Sequence, residues 1–230
     1  EEKKLVKIFN KINNLSISKK FTVILIDDCS IDKTHLIVKK KKRFKLIYKK
    51  HLKNKGLSIA LESGFNILKK KLKKDDLVIT MDSDNTHPIK IIPNMLLQLK
   101  KTNADIVIAS RFLPRSQVNG LGFFREYLSV LAKHVFSFFF PYKNLKEYTC
   151  NFRIYKSFLI KELIKNKYFF KGEDFNIAVK IILYLIKKFH NIKILEHPLV
   201  LNYHYKIGSS KMKVFKNIFL TLNLIFFRKF

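Results

Sequence analysis

Leu77-Val78-Ile79-Thr80-Met81-Asp82-Ser83-Asp84-Asn85-Thr86-His87-Pro88 is the stretch on which the reading of this chain turns. Its first five residues form a short apolar and β-branched run, the pattern of a strand buried on both faces. The run ends in two carboxylates one residue apart. At the end of a strand, Asp82 and Asp84 can converge on a hard divalent cation, which in turn neutralises a diphosphate. The plainer reading is that both are turn and N-cap carboxylates ahead of the next helix. That helix is punctuated by Pro88 and Pro93 and is expected to run to about Lys100.

The same grammar recurs on both sides. Upstream, Leu5, Ile8, Phe9 and Ile12 recur at helical spacing over residues 2–14. Phe21 to Ile26 reads as a strand that ends in Asp27-Asp28, and Ser30 or Asp32 can cap a following helix up to about Arg43. Phe44 to Tyr48 is a second strand. Gly56 then opens a helix to about Lys73 that carries Leu57, Ala60, Leu61, Gly64, Phe65 and Leu68 on one face. Downstream, Asp105 to Ala109 is a further strand that stops at Ser110-Arg111. Strands and helices alternating through short connections predict an α/β fold, a mostly parallel central sheet flanked by helices. Ligands of such sheets bind beyond the carboxyl ends of the strands. Asp27/Asp28, Asp82/Asp84 and Arg111 all stand at such ends, which predicts one site there.

Beyond Arg111 the pattern turns helical: residues 123–140 are rich in aromatics, and 156–166 and 174–189 have helical periodicity, while 192–205 reads as extended. Residues 211–230 read as an amphipathic helix with Met212, Phe215, Phe219, Leu222 and Phe226 on one side. With no internal repeat or Pro/Gly/Ser-rich linker, residues 1–210 are expected to form one domain, followed by that C-terminal helix.

Of the 230 residues, 47% are apolar and 13% aromatic, which excludes intrinsic disorder despite a net charge of +30. Such a surface is drawn to nucleic acid, anionic lipid or phosphorylated substrates, and the bland reading is a solvated lysine coat. No RNP, zinc-finger or helix-turn-helix signature is present, so no nucleic-acid partner is expected. Lysines number 41 and arginines 6. Arg111, Arg125 and Arg153 therefore mark places where a planar fork is needed, as for phosphate or carboxylate. Cys29 and Cys150 form no CxxC pair, which excludes a disulfide framework and a thiolate zinc site. No apolar run reaches the roughly 20 residues of a spanning helix. The chain opens with Glu1-Glu2 and has no n-region and h-region pair, so no signal peptide is expected and a fragment is one reading.

Three further groups are candidates on their own chemistry. Gly208-Ser209-Ser210-Lys211 is a turn suited to closing over a phosphate. Glu173-Asp174 can cap a helix or supply a general base to an acceptor. His87 reads as structural.

Taken together, Ile26-Asp27-Asp28-Cys29-Ser30-Ile31-Asp32-Lys33-Thr34, Asn54-Lys55-Gly56-Leu57, Met81 to Pro88 and Ala109-Ser110-Arg111-Phe112 resemble the family 2 GT-A glycosyltransferases. Thr149-Cys150-Asn151-Phe152-Arg153-Ile154-Tyr155-Lys156 and Gly208 to Met212 are similar to the dolichol- or polyprenol-phosphate mannose synthase branch. The resemblance implies a GT-A fold, a nucleotide-sugar donor, Mg²⁺ or Mn²⁺, and inverting transfer. It also implies that Asp28 holds the base with Ile26 lining its pocket, and that Asp82 and Asp84 bind metal and diphosphate. Ser83 would add backbone contacts, Arg111 and Lys211 would contact phosphate or sugar, and Thr86 would stand as a third metal-side ligand. Glu1 matches the glutamate after the family's first strand. Asp84, Arg111 and Asp174 are the residues expected to carry catalysis. The chain departs from the pattern in lacking that first strand, in Cys29 where glycine is usual, and in Tyr205 where an arginine is usual.

The expectation is therefore a metal-dependent enzyme moving a hexose, mannose among the candidates, to polyprenyl phosphate at the cytoplasmic face of a membrane. It would be peripheral there, drawn by an anionic lipid surface. The alternative is transfer to a hydroxyl of a glycan or lipid-linked saccharide with Glu173 or Asp174 as base. The non-enzyme alternative is a basic membrane- or nucleic-acid-binding module.

Overall fold

In the computed structural model, which describes residues 2–32, 34–40, 42–166, 168–171 and 176–203, the strand that organises the chain is β4, Ile106–Ser110. All five of its residues are buried. Successive side chains of a strand point to opposite faces, so β4 divides its apolar residues between two cores. Ile106 and Ile108 join α6 (Ser157–Lys165) and α7 (Ile177–Lys188) on one face. Val107 and Ala109 join α1 (Glu2–Asn13) and α4 (Ile92–Thr102) on the other.

Four strands run in the order β3 (Leu77–Thr80), β6 (Arg153–Lys156), β4, β7 (Ile194–Pro198). β6 is antiparallel to both neighbours, with Arg153 opposite Thr80 on one side and Ile108 on the other. β7 runs parallel to β4. Leu199 continues that ladder past a break: its N–H donates to Ser110 O at 2.9 Å, and its carbonyl accepts Gln117 N–H at 3.1 Å. The ladder resumes as β5 (Gln117–Asn119) beside β8 (Val200–Asn202). Residues 111–116 loop out at the break, and Arg111 heads them.

β1 (Thr22–Asp27) pairs in parallel with β2 (Lys45–Lys50). Among the described residues neither strand pairs with the four-stranded sheet. A cleft of about 1460 Å³ lies between the two sheets. Val23 to Ile26 of β1 line it on one side and Leu77 to Met81 on the other, with Leu57, Leu61 and Leu68 of α3 (Leu57–Leu68) also in its wall.

The strand and helix order expected from the periodicity is present, with local differences. The helix expected to reach Arg43 is only α2, Thr34–Val38. Consecutive cations follow it from Lys39, where like charges repel along a helix, and Lys42 Nζ donates to the Val38 carbonyl at 2.7 Å, closing the end. β5 and β6 were not expected, because three- and four-residue strands carry too little alternation to stand out. α5 (Phe123–Phe139) matches its aromatic pattern. No helix among the described residues is long and apolar enough to cross a membrane. Glu1, Glu173, Asp174, Gly208 to Lys211 and the helix expected over 211–230 lie outside the described residues.

Candidate active site

The loop after β3 is shaped by hydrogen bonds of its own side chains. Asp84 Oδ1 accepts the Thr86 N–H at 3.1 Å and the Thr86 hydroxyl at 2.6 Å, a side-chain turn that reverses the chain. Asn85 sits at φ 66°, a left-handed conformation that asparagine tolerates better than most residues. Lys11 Nζ donates to Asn85 Oδ1 at 2.7 Å, which ties α1 to the loop. The Asp82 N–H donates to His87 Nδ1 at 3.2 Å, and the His87 ring stacks on Phe152 with centroids 5.1 Å apart. His87 thus braces the loop, and it also lines the cleft. Neither carboxylate caps α4, which starts after a 3₁₀ turn with no side-chain cap. Asp82, Ser83, Asp84 and Thr86 all line the cleft, as do Ile26 and Arg111.

Arg111 is engaged from behind by a residue the sequence reading did not single out. Its Nε and Nη2 each donate to a Glu147 carboxylate oxygen at 2.8 Å, and Nη2 also donates to Thr149 Oγ1 at 2.5 Å. The Glu147 side chain is fully buried and that of Arg111 is 13% exposed. Burial alone would raise the Glu147 carboxyl; the Arg111 guanidinium and the N–H of Cys150 hold it below its ordinary value instead. The fork expected at Arg111 for phosphate or carboxylate therefore has a carboxylate of the chain itself in its grasp. Among the described residues Nη1 makes no hydrogen bond. Burial, with Glu147 nearby, pushes the Cys150 thiol up to about 12, so it is no nucleophile.

Two further candidates are occupied with holding the fold. Asp28 accepts the N–H groups of Lys55 and Gly56 at 2.9 and 2.7 Å and contacts His51 Nδ1 at 2.7 Å. It thereby closes the turn into α3 and is not among the residues lining the cleft, whereas Ile26 is. Arg153, marked by its rarity for an anion, is instead fully buried among carbonyls. Nε donates to Cys150 O, Nη1 to Ala178 O and Nη2 to Tyr148 O, at 2.6–2.7 Å. It joins the lead-in of β6 to α7. Cys29 has φ 72°, the backbone region that explains why glycine suits that position.

Asn151 and Tyr203 also line the cleft and were not among the expected site residues. The Asp82 and Asp84 carboxylates and the Thr86 hydroxyl are oxygen donors, the chemistry that suits Mg²⁺ or Mn²⁺. No group of three or more His, Cys, Asp or Glu side chains gathers for a metal among the described residues. Mg²⁺ is commonly bound by one or two carboxylates plus phosphates.

A family model described as glycosyl transferase family 2 matches residues 1–164. The chain belongs to glycosyl transferase family 2. It is 28% identical over 216 residues to a dolichol-phosphate mannosyltransferase of Pyrococcus furiosus, covering 93% of this chain and 56% of that protein. It is 26% identical over 152 residues to a dodecaprenyl-phosphate galacturonate synthase of Rhizobium johnstonii, covering 65% and 42%. The chain thus spans about half the length of these relatives. In fold it is similar to glucosyl-3-phosphoglycerate synthase of Mycobacterium tuberculosis in complex with phosphoglyceric acid, with a TM-score of 0.61 at 14% identity over 98% of this chain and 74% of that one. A second crystal of that enzyme, with Mn²⁺, UDP-glucose and phosphoglyceric acid, gives a TM-score of 0.52 at 14% identity, covering 88% and 65%. The fold is GT-A, and this is a family 2 glycosyltransferase domain with an antiparallel β6 set into its otherwise parallel sheet.

Proposed function

We propose that this domain transfers a hexose from a nucleoside diphosphate sugar to polyprenyl phosphate, with Mg²⁺ or Mn²⁺, at the inner face of a membrane. The observation that carries the reading is the clustering of Asp82, Asp84, Thr86 and Arg111 on one cleft at the carboxyl end of β3 and β4. The two named relatives act on different sugars, mannose and galacturonate, and share a polyprenyl-type phosphate acceptor. The acceptor class is therefore the better supported half of the reading, and mannose is one donor sugar among several.

Asp82 and Asp84, with Thr86, would hold the cation, which when bound neutralises charge on the departing diphosphate. An oxygen of the ionised acceptor phosphate attacks the anomeric carbon, and the bond to the diphosphate breaks with its electron pair leaving on oxygen. Such a nucleophile needs no general base, and Glu147 is in any case tied to Arg111. Arg111, fixed by Glu147, presents positive charge beside the phosphates of donor or acceptor. Support for the membrane comes from α5, whose Phe123 and Phe138 are 87% and 80% exposed, on a chain of net charge +30.

Calorimetric titration with UDP and GDP in the presence of Mn²⁺ tests the metal assignment. Asp82→Ala and Asp84→Ala are expected to lower the affinity at least tenfold. Both variants should fold, with Asp84→Ala losing about 1 kcal/mol for its turn bonds to Thr86. Unchanged affinity in both would remove the cation from these residues.

A further inference from the structure

Two loops stand side by side after the carboxyl ends of β1 and β2, whose last paired residues are Asp27 and Lys50. Each loop raises one aliphatic side chain into solvent. Ile31 in the first and Leu52 in the second are fully exposed, more so than any other large apolar side chain among the described residues. A single exposed aliphatic residue is ordinary on a protein surface. Here the chain sets two of them on loops that are tied together. The His51 N–H donates to Asp27 O at 2.8 Å, and Lys50 Nζ donates to Ser30 O at 2.6 Å. Cys29 Sγ donates to Leu52 O at 3.5 Å. Within the first loop Asp27 Oδ1 accepts the Ser30 N–H at 2.7 Å, while Asp28 accepts the N–H groups of Lys55 and Gly56 in the second. Lys49, Lys50, Lys53 and Lys55 are exposed on the same strand end and loop. The acids of the first loop, Asp27, Asp28 and Asp32, are occupied by N–H and hydroxyl groups of the chain.

We propose that these two loops dock on an anionic lipid bilayer, with Ile31 and Leu52 in its headgroup region and the lysines around them against lipid phosphates. The inference rests on the reading of this domain as one that works at a membrane, and it adds a contact separate from α5. Charge complementarity selects the occupant. A second copy of a chain of net charge +30 would set lysine against lysine. A nucleic acid would answer the lysines, but its exposed bases stack on aromatic side chains, and the loops present aliphatic ones. An anionic bilayer takes both, since apolar side chains enter the boundary between headgroups and acyl chains while lysines meet the negative surface. A second contact also limits how the domain can turn on the surface that carries its acceptor.

The chain contains no tryptophan, so one placed in either loop reports its own surroundings. Ile31→Trp and Leu52→Trp, each in the whole chain, are mixed with vesicles of phosphatidylglycerol and phosphatidylcholine, or of phosphatidylcholine alone. Fluorescence is recorded beside flotation. On the anionic vesicles the emission should move to the blue, and brominated lipid should quench it about twofold or more. On phosphatidylcholine alone it should stay as in buffer. Ile31→Asp with Leu52→Asp should lower partition into the anionic vesicles about tenfold, part of the full value of burying two aliphatic side chains. Melting temperatures should stay within a few degrees of wild type, because neither side chain is packed; should one tryptophan variant fail to fold, the other decides. Flotation with no change of emission in either variant would leave the loops in water and overturn the inference. A blue shift that follows protein concentration without vesicles would put a second copy on the loops and overturn it too. Should wild type fail to float with anionic vesicles at low salt, the membrane reading itself fails and the inference with it, an outcome distinct from the other two.

Discussion

At the scale of single residues, the pair Arg111–Glu147 is a buried ion pair whose arginine lines the cleft. Removing one partner of a buried ion pair strands the other charge, at about 3–5 kcal/mol. Glu147→Gln keeps the shape and removes the charge, and urea denaturation at neutral pH is expected to show a loss near the lower end of that range. The pH dependence has a definite sign. The Glu147 carboxyl is held below its ordinary value in the folded chain, so its contribution is complete above the unfolded carboxylate value and is lost as pH falls through the lower folded one. Wild type should lose this stability on acidification beneath the usual carboxylate range, and Glu147→Gln should lack that component. A Gln variant as stable as wild type at neutral pH would contradict the pairing. Asp82, Asp84 and Arg111 were legible in the sequence because each follows an apolar run that ends abruptly in charge. Glu147 was not, since its partner stands 36 positions away and nothing around Lys146-Glu147-Tyr148 is periodic. Arg153 drew attention by rarity alone, and rarity does not distinguish a fork for a ligand from a fork for three carbonyls.

At the scale of elements, α5 departs furthest from what an amphipathic helix normally does. Of its large apolar residues only Phe136 is buried, while Phe124, Tyr127, Val130, Leu131 and Phe139 remain exposed beside Phe123 and Phe138. Periodicity made the helix legible over 123–140 but not its orientation, because aromatic residues occupy most of its circumference. Exposed aromatic side chains with cations around them match an interfacial helix, where a buried phenylalanine is worth about 1.5–3 kcal/mol. Flotation with liposomes rich in anionic lipid should recover the wild-type chain at low salt and release it as salt rises. Phe123→Glu with Phe124→Glu should reduce the floated fraction several-fold while leaving the melting temperature within a few degrees, since neither side chain is packed. Equal flotation of the double variant would take α5 off the membrane. β6 shows the limit from the other direction: four residues that begin with Arg153 and end with Lys156 gain their strand from two neighbouring strands, a tertiary effect with little local signal.

At the scale of the whole molecule, the sheets are separated where the cleft lies, with β1 and β3 facing it across apolar side chains. The order of elements and the placing of the acids at strand ends followed from the sequence because both are local patterns repeated along the chain. The separation of the sheets did not, because strand adjacency is decided by packing over long separations.

The central claim is sugar transfer to a polyprenyl phosphate, and direct measurement of that transfer tests it best. Radiolabelled nucleotide sugars, GDP-mannose and UDP-glucose among them, are incubated with the full-length protein, Mn²⁺ and vesicles carrying polyprenyl phosphate, and the lipid fraction is counted. Label should enter the lipid with at least one donor, should disappear with chelator, and should fall at least a hundredfold in Asp84→Ala. Protein that binds nucleotide with Mn²⁺ yet leaves the lipid unlabelled with every donor, while labelling a glycan hydroxyl, would contradict it.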